Sequence, residues 1–147
     1  MADIKIFVGS VFGNASEVAD LVTDALIADG HSAEQYSSPG VAQLQQASAI
    51  LVITSTTGQG DIPLNLEDFY LQLHRQLPLI TNTPFAVIAL GDSGYGDTFC
   101  GGGRQMQQIL LKLQGRETKE MLSIDSCETL EPELEAVPWA QSWAREL

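Results

Sequence analysis

The sequence predicts a doubly wound α/β fold, a five-stranded parallel sheet between two layers of helices in a three-layer sandwich. Three observations carry that prediction. The runs Ala49-Ile50-Leu51-Val52-Ile53-Thr54 and Phe85-Ala86-Val87-Ile88-Ala89-Leu90 show no polar alternation, as strands covered on both faces require. Segments of helical period lie between the strand-like runs, giving a strand–helix–strand order. Right-handed crossovers then wind the helices over the sheet.

The elements follow in order. Ile4-Lys5-Ile6-Phe7-Val8 reads as the first strand. Val18, Leu21, Val22, Ala25 and Leu26 fall on one helical stripe, with acidic residues early in the helix and Gly30 just past its end. Residues 32–36 form a more polar strand, suited to an edge. After the 49–54 run, Leu66, Phe69, Tyr70 and Leu73 place a helix over 64–77. After the 85–90 run, Gly101-Gly102-Gly103 reads as a tight entry into a helix carrying Met106, Ile109, Leu110 and Leu113, closed by Gly115. Met121-Leu122-Ser123-Ile124 supplies a short last strand, and Pro138 suits the first position of a final helix to Leu147. Without repeats, low-complexity stretches or a linker, residues 1–147 read as one domain.

Composition narrows the function. Of 147 residues, 19 are acidic and 7 are Lys or Arg, a net charge of −12, and hydrophobic residues make up 44%. That balance is globular, and it disfavours both a nucleic-acid backbone and an anionic membrane as partners. A basic protein face is the fitting macromolecular partner. The amino terminus lacks the pattern of a signal peptide, and no apolar run approaches a spanning length. Cys100 and Cys127 form neither a CxxC nor a disulfide framework and read as two buried thiols in a reducing cytoplasm. His31 and His74 stand apart with no metal-ligand spacing.

In an open parallel sheet, ligands bind beyond the carboxyl ends of the strands. Three loops there are rich in Gly and hydroxyl residues and contain no Lys or Arg: 9–16, 55–63 and 91–100. The first can cradle a phosphate with backbone N–H groups at a helix N-terminus, aided by Ser10 and Asn14. It is neither a P-loop, since GxxxxGK[ST] is absent, nor a dinucleotide fingerprint, since Gly9 and Gly13 stand four apart. In the second, Gly58 and Gly60 let backbone approach a flat ligand. In the third, Tyr95 between Gly94 and Gly96 can lie against a ring system. Each loop alone also suits an ordinary turn; the three at successive strand ends form the stronger signal.

These residues resemble a flavodoxin, a short-chain one similar to the MioC-like proteins and to the FMN domains of diflavin reductases. The most specific stretches are Ser-Thr-Thr-Gly-Gln-Gly-Asp-Ile-Pro at 55–63 and Leu-Gly-Asp-Ser-Gly-Tyr at 90–95, continuing to Phe99-Cys100-Gly101. The resemblance implies non-covalent FMN and electron transfer from an NADPH-dependent flavodoxin/ferredoxin reductase to acceptor proteins, by a monomeric carrier without substrate turnover of its own. It assigns the phosphate to Ser10, Phe12, Gly13, Asn14 and Ala15. It places the isoalloxazine ring between Ser55, Thr56, Thr57, Gly58 and Gly60 on one side and Leu90, Gly91, Asp92, Tyr95, Phe99 and Cys100 on the other. Tyr95 matches the stacking tyrosine and Gly58 the peptide that reorients on reduction. Phe12 stands where relatives favour a hydroxyl, Thr57 where they often carry a second aromatic, and three residues separate Tyr95 from Phe99, one more than is common.

Other chemistries fit less well. A phosphoacceptor receiver needs acidic residues where this chain has Val8-Gly9-Ser10 and Thr54-Ser55-Thr56. An FMN-dependent NAD(P)H:quinone reductase needs a nicotinamide pocket for which 147 residues leave little chain. A flavin-free interaction module of the same fold is the third reading. Asp61, Asp92, Asp97, Asp125 and Glu128 all follow strand carboxyl ends, and Glu131, Glu133 and Glu135 extend them. Read as a solvated rim, they steer basic partners and disfavour an anionic reduced flavin.

Overall fold

The fold is that of a computed structural model, which describes residues 2–10, 13–57 and 60–147, with the side chains of Tyr95, Asp97 and Thr98 outside the description. The first apolar run forms β1 (Asp3–Gly9), which lies inside the sheet. The lanes run β2 (Ser32–Tyr36), β1, β3 (Ala49–Thr54), β4 (Pro84–Gly91), and a last lane shared by β5 (Arg116–Glu117) and β6 (Leu122–Asp125). Every pairing is parallel. β5 pairs with Pro84 and Phe85, and β6 with Ile88 through Gly91, so the fifth lane is one strand interrupted at 118–121. The expected edge strand is β2, whose five residues have no buried member.

Side-chain alternation divides the interior into two cores. Ile4, Ile6 and Val8 face one way, with Leu51, Ile53 and Ile88, beneath α1 (Asn14–Ala28) and α5 (Glu133–Arg145). Phe7, Ile50, Val52 and Val87 face the other way, beneath α2 (Val41–Gln45), α3 (Leu64–Gln76) and α4 (Gly101–Lys112). In the second core Phe7 stacks on Phe69 with ring centroids 5.4 Å apart. In the first, fully buried Trp143 donates its indole N–H to the Thr118 hydroxyl at 2.8 Å.

Four details differ from the sequence expectation. The buried stripe of α1 is Ala15, Val18, Ala19, Val22 and Leu26, while Leu21 is exposed: small alanines, not Leu21, let α1 lie close to the sheet. α5 starts at Glu133 after Pro132, so Pro138 is interior to the helix. Its missing N–H deprives only the carbonyl of Leu134, an exposed residue, so the helix survives a proline that would break a buried one. Gln114, with φ 71°, is the left-handed residue closing α4, and Gly115 follows it, donating its N–H to Leu110 O. The short helix α2 had no pattern long enough to predict it.

Sheet order reverses between β1 and β3. The strands end on that side of the sheet at Gly9, Thr54, Gly91 and Asp125, and the three candidate loops leave from the first three of those ends.

Candidate functional site

At the end of β1 the chain turns into α1. Gly13, at φ 84°, is its N-cap residue, and the Ser10 hydroxyl accepts the Ser16 N–H at 3.3 Å. Asn14 is exposed on the first turn, while the Ala15 side chain is buried in the core, leaving only its backbone toward the loop. The Ser10 N–H donates to Asn65 Oδ1 at 3.0 Å. The Asn65 amide nitrogen donates in turn to Val8 O at 2.7 Å and Ser37 O at 2.8 Å. Asn65, near the start of α3, therefore ties the first loop to the β2–α2 connection. Sequence reading missed it, because one polar residue at a helix start carries no periodic signal.

The second loop is pinned by backbone. Thr57 and Asp61 exchange N–H···O bonds of 2.9 and 2.8 Å. The Gly102 N–H donates to the Thr56 hydroxyl at 3.1 Å, and Gln105 Nε2 donates to Gly60 O. Ser55, half-buried, donates its N–H to Gly9 O at 2.8 Å. The glycines opening α4 are what allow this contact. A Cβ on Gly101 would lie 2.6 Å from Gly60 Cα, and one on Gly102 would lie 2.6 Å from Ser55 O. The triplet expected as a helix entry is thus also the surface against which the second loop rests.

The third loop is pinned by carboxylates. Asp92 Oδ1 accepts the Gly94 N–H at 2.7 Å and the Cys127 thiol at 2.9 Å. Asp125 Oδ1 accepts the N–H groups of Ser93 at 3.0 Å and Cys127 at 2.9 Å. Hydrogen bonds from the hydroxyl and N–H of Ser93 hold the Asp125 carboxyl below the usual aspartate range, and the bond to Asp92 raises the Cys127 thiol. Asp92 and Asp125 are therefore clasps and not simply a solvated rim. Asp92, Asp125 and Cys127 offer metal-ligand atoms within 4.8 Å of one another, but these side chains are already engaged in those hydrogen bonds.

Residues 93–98 form a 3-10 segment kinked at Gly96, whose carbonyl accepts the Phe99 N–H at 3.0 Å. Phe99 is half-buried against Gly91, and the Leu90 side chain turns into the α1/α5 core. Cys100 is buried, its Sγ 3.6 Å from Ala89 O, and burial pushes its thiol up. Cys127 is exposed, correcting the reading of two buried thiols: it sits on the turn after β6 with its S–H directed at Asp92. Phe12 and Gly58 lie outside the described residues, as does the side chain expected to stack, that of Tyr95. His31 pins the amino terminus, its Nδ1 accepting the Ala2 N–H at 3.1 Å, and exposed His74 packs edge-on against Tyr70.

A switch-point site with three glycine-rich loops free of Lys and Arg suits the class of proteins that hold a nucleotide cofactor, and comparison narrows the class. Residues 6–139 match the flavodoxin family. The chain is 40% identical to flavodoxin YqcA of Escherichia coli over 145 residues, covering 97% of each chain. It is 36% identical to protein MioC of the same species over 143 residues, again 97% of each. It superposes on a cysteine-to-alanine mutant of a flavodoxin from Pseudomonas aeruginosa with a TM-score of 0.90 and 41% identity, covering 97% of both chains. The chain belongs to the flavodoxin family, whose members bind FMN and carry electrons between redox partners such as reductases. Among the described residues no helix is long and apolar enough to cross a membrane.

Proposed function

We propose that residues 1–147 form a single FMN-binding domain that takes electrons from a basic-faced NADPH-dependent flavodoxin/ferredoxin reductase and delivers them to acceptor proteins. It acts as a monomer in the cytoplasm and turns over no substrate itself. The observation that carries this reading is the donor set at the first loop, where the start of α1 offers backbone N–H groups and Ser10 a hydroxyl, with no cation in any of the three loops. That set suits a single phosphate monoester held by neutral donors.

Ser10, Phe12, Gly13, Asn14 and Ala15 would hold the phosphate. Ser55, Thr56, Thr57, Gly58 and Gly60 would border one face of the ring, and Leu90, Gly91, Asp92, Tyr95, Phe99 and Cys100 the other. When bound, FMN supplies the one- and two-electron chemistry. The protein's part is to orient that group, exclude water from it and fix the two ring-side loops, through Gln105 and Gly102 for one and Asp125 for the other.

The test is steady-state NADPH oxidation by the purified holoprotein. The carrier reading predicts none beyond background until a flavodoxin reductase is added, with quinone present or absent. Turnover with NADPH and quinone alone would replace the carrier with a quinone reductase. A colourless protein indifferent to added FMN would replace it with an interaction module.

A further inference from the structure

The acidic end of the sheet holds a hollow that reaches beyond the proposed cofactor residues. Between the first turn of α1 and the segment entering α5 lies a cavity of about 340 Å³. Val18, Leu90 and Ile124 give it an apolar floor, and Glu17 and Glu133 stand on its two helical walls. Among the described residues, none of the 55–61 loop lines it, whereas Asn14, Leu90 and Gly91 line it and also belong to the proposed cofactor set. It shares those three residues with the proposed FMN site and reaches from them to the start of α5 at Pro132 and Glu133.

The chemistry of its lining selects an occupant. Among the described residues its lining holds two glutamates and no Lys or Arg, which makes it unfit for a phosphate or any other anion. Placement at helix N-termini accounts for Glu17 and Glu133 in part, since carboxylates favour the macrodipole there. It does not account for the hollow between them, nor for the exposed leucines, Leu130 in its lining and Leu134 on the first turn of α5. Leu130 is 93% exposed and Leu134 66% exposed. From Glu120 to Glu135 the chain carries six acidic and no basic side chains. An apolar floor, one carboxylate on each helical wall and exposed leucines are complementary to a long side chain with apolar methylenes and a cationic tip.

We propose that this cavity is the socket for an arginine side chain of a basic protein partner. The methylenes lie on Val18, Leu90 and Ile124, the guanidinium reaches between Glu17 and Glu133, and Leu130 and Leu134 cover the apolar surface around that arginine. Buried arginines ringed by apolar contact are the kind of anchor that dominates protein interfaces. The inference rests on the carrier reading only for the partner being a redox protein. It replaces diffuse steering by an acidic rim with one specific contact beside the cofactor.

The experiment is an amide-resolved NMR titration of the isotope-labelled holoprotein with N-acetyl-arginine methylamide, using the uncharged citrulline analogue as control. The expected result is saturable shifts at Glu17, Thr129, Leu130 and Glu133 with the arginine probe alone. They weaken by about fivefold or more in Glu17→Gln/Glu133→Gln, as two lost exposed pairs imply. In Asp61→Asn, an acidic residue outside the cavity, they are unchanged. Shifts spread over the whole acidic end, shifts equal in all three proteins, or none at all would overturn the socket. Visible flavin absorbance of the same samples reports cofactor binding separately, so failure of the FMN reading and failure of the socket are read apart.

Discussion

The two loops that flank the proposed ring site are held by opposite means. The 55–61 loop is fixed by uncharged close packing: glycines of α4 touch its backbone, and the Gln105 amide and Gly102 N–H bond to it. The 92–98 loop is fixed by side-chain carboxyls, with Asp92 and Asp125 gathering the N–H groups of Gly94, Ser93 and Cys127. Neutral packing is insensitive to pH and salt but intolerant of one added methyl group. A carboxylate clasp tolerates shape changes but titrates. The same end of one sheet thus presents a loop set by sterics beside a loop set by charge.

The steric half is the easier to break. Gly101→Ala should destabilise the fold by about 1–3 kcal/mol in urea denaturation, because the new Cβ meets backbone that cannot turn away. A cost near zero would mean that α4 does not seat the 55–61 loop. Asn65→Leu should cost about 2 kcal/mol, since it leaves the Ser10 N–H and the Val8 and Ser37 carbonyls without their side-chain partner. FMN affinity should fall with it, as the first loop loses its tie to α3. Tyr95→Ala should weaken FMN about tenfold in a flavin fluorescence titration, the scale of one lost aromatic contact. Unchanged affinity would remove Tyr95 from the site.

The smallest effect concerns charge. The Asp125 carboxyl titrates below its ordinary value in the folded protein, so folding favours its ionised form. Its contribution is in place above the ordinary aspartate value of about 3.9 and is lost as pH falls from there toward the depressed value. Hydrogen exchange should show the 92–98 amides losing protection below about pH 4, before those at 55–57 and 60–61. In Asp125→Asn that acid-dependent step should disappear. Simultaneous loosening of both loops would contradict the division between them.

The sheet was legible because its central strands are uninterrupted apolar runs, a pattern that only two-sided burial explains. The edge strand was legible for the converse reason: its polarity matches a position with one neighbour. What escaped was set by tertiary contact. Leu21 fits the helical period, yet close packing of α1 on the sheet favours Ala15 and Ala19. Pro138 looks like a helix start, yet Pro132 lies earlier and the interior proline faces outward. At the site, the glycines and hydroxyls announced the loops. The residues that hold the loops, Asn65, Gln105 and Asp125, come from other elements, 55, 45 and 32 positions away from the groups they bind. No local pattern encodes such a pairing.

The central claim is that neutral donors at the start of α1 hold the FMN phosphate while the two ring-side loops hold the flavin. Parallel absorbance titrations of the apoprotein with FMN and with riboflavin test it most directly. The account predicts one FMN per chain, with altered visible band shape, and much weaker binding of riboflavin, which has the same ring but no phosphate. Equal binding of the two ligands, or no spectral change with FMN, would contradict it.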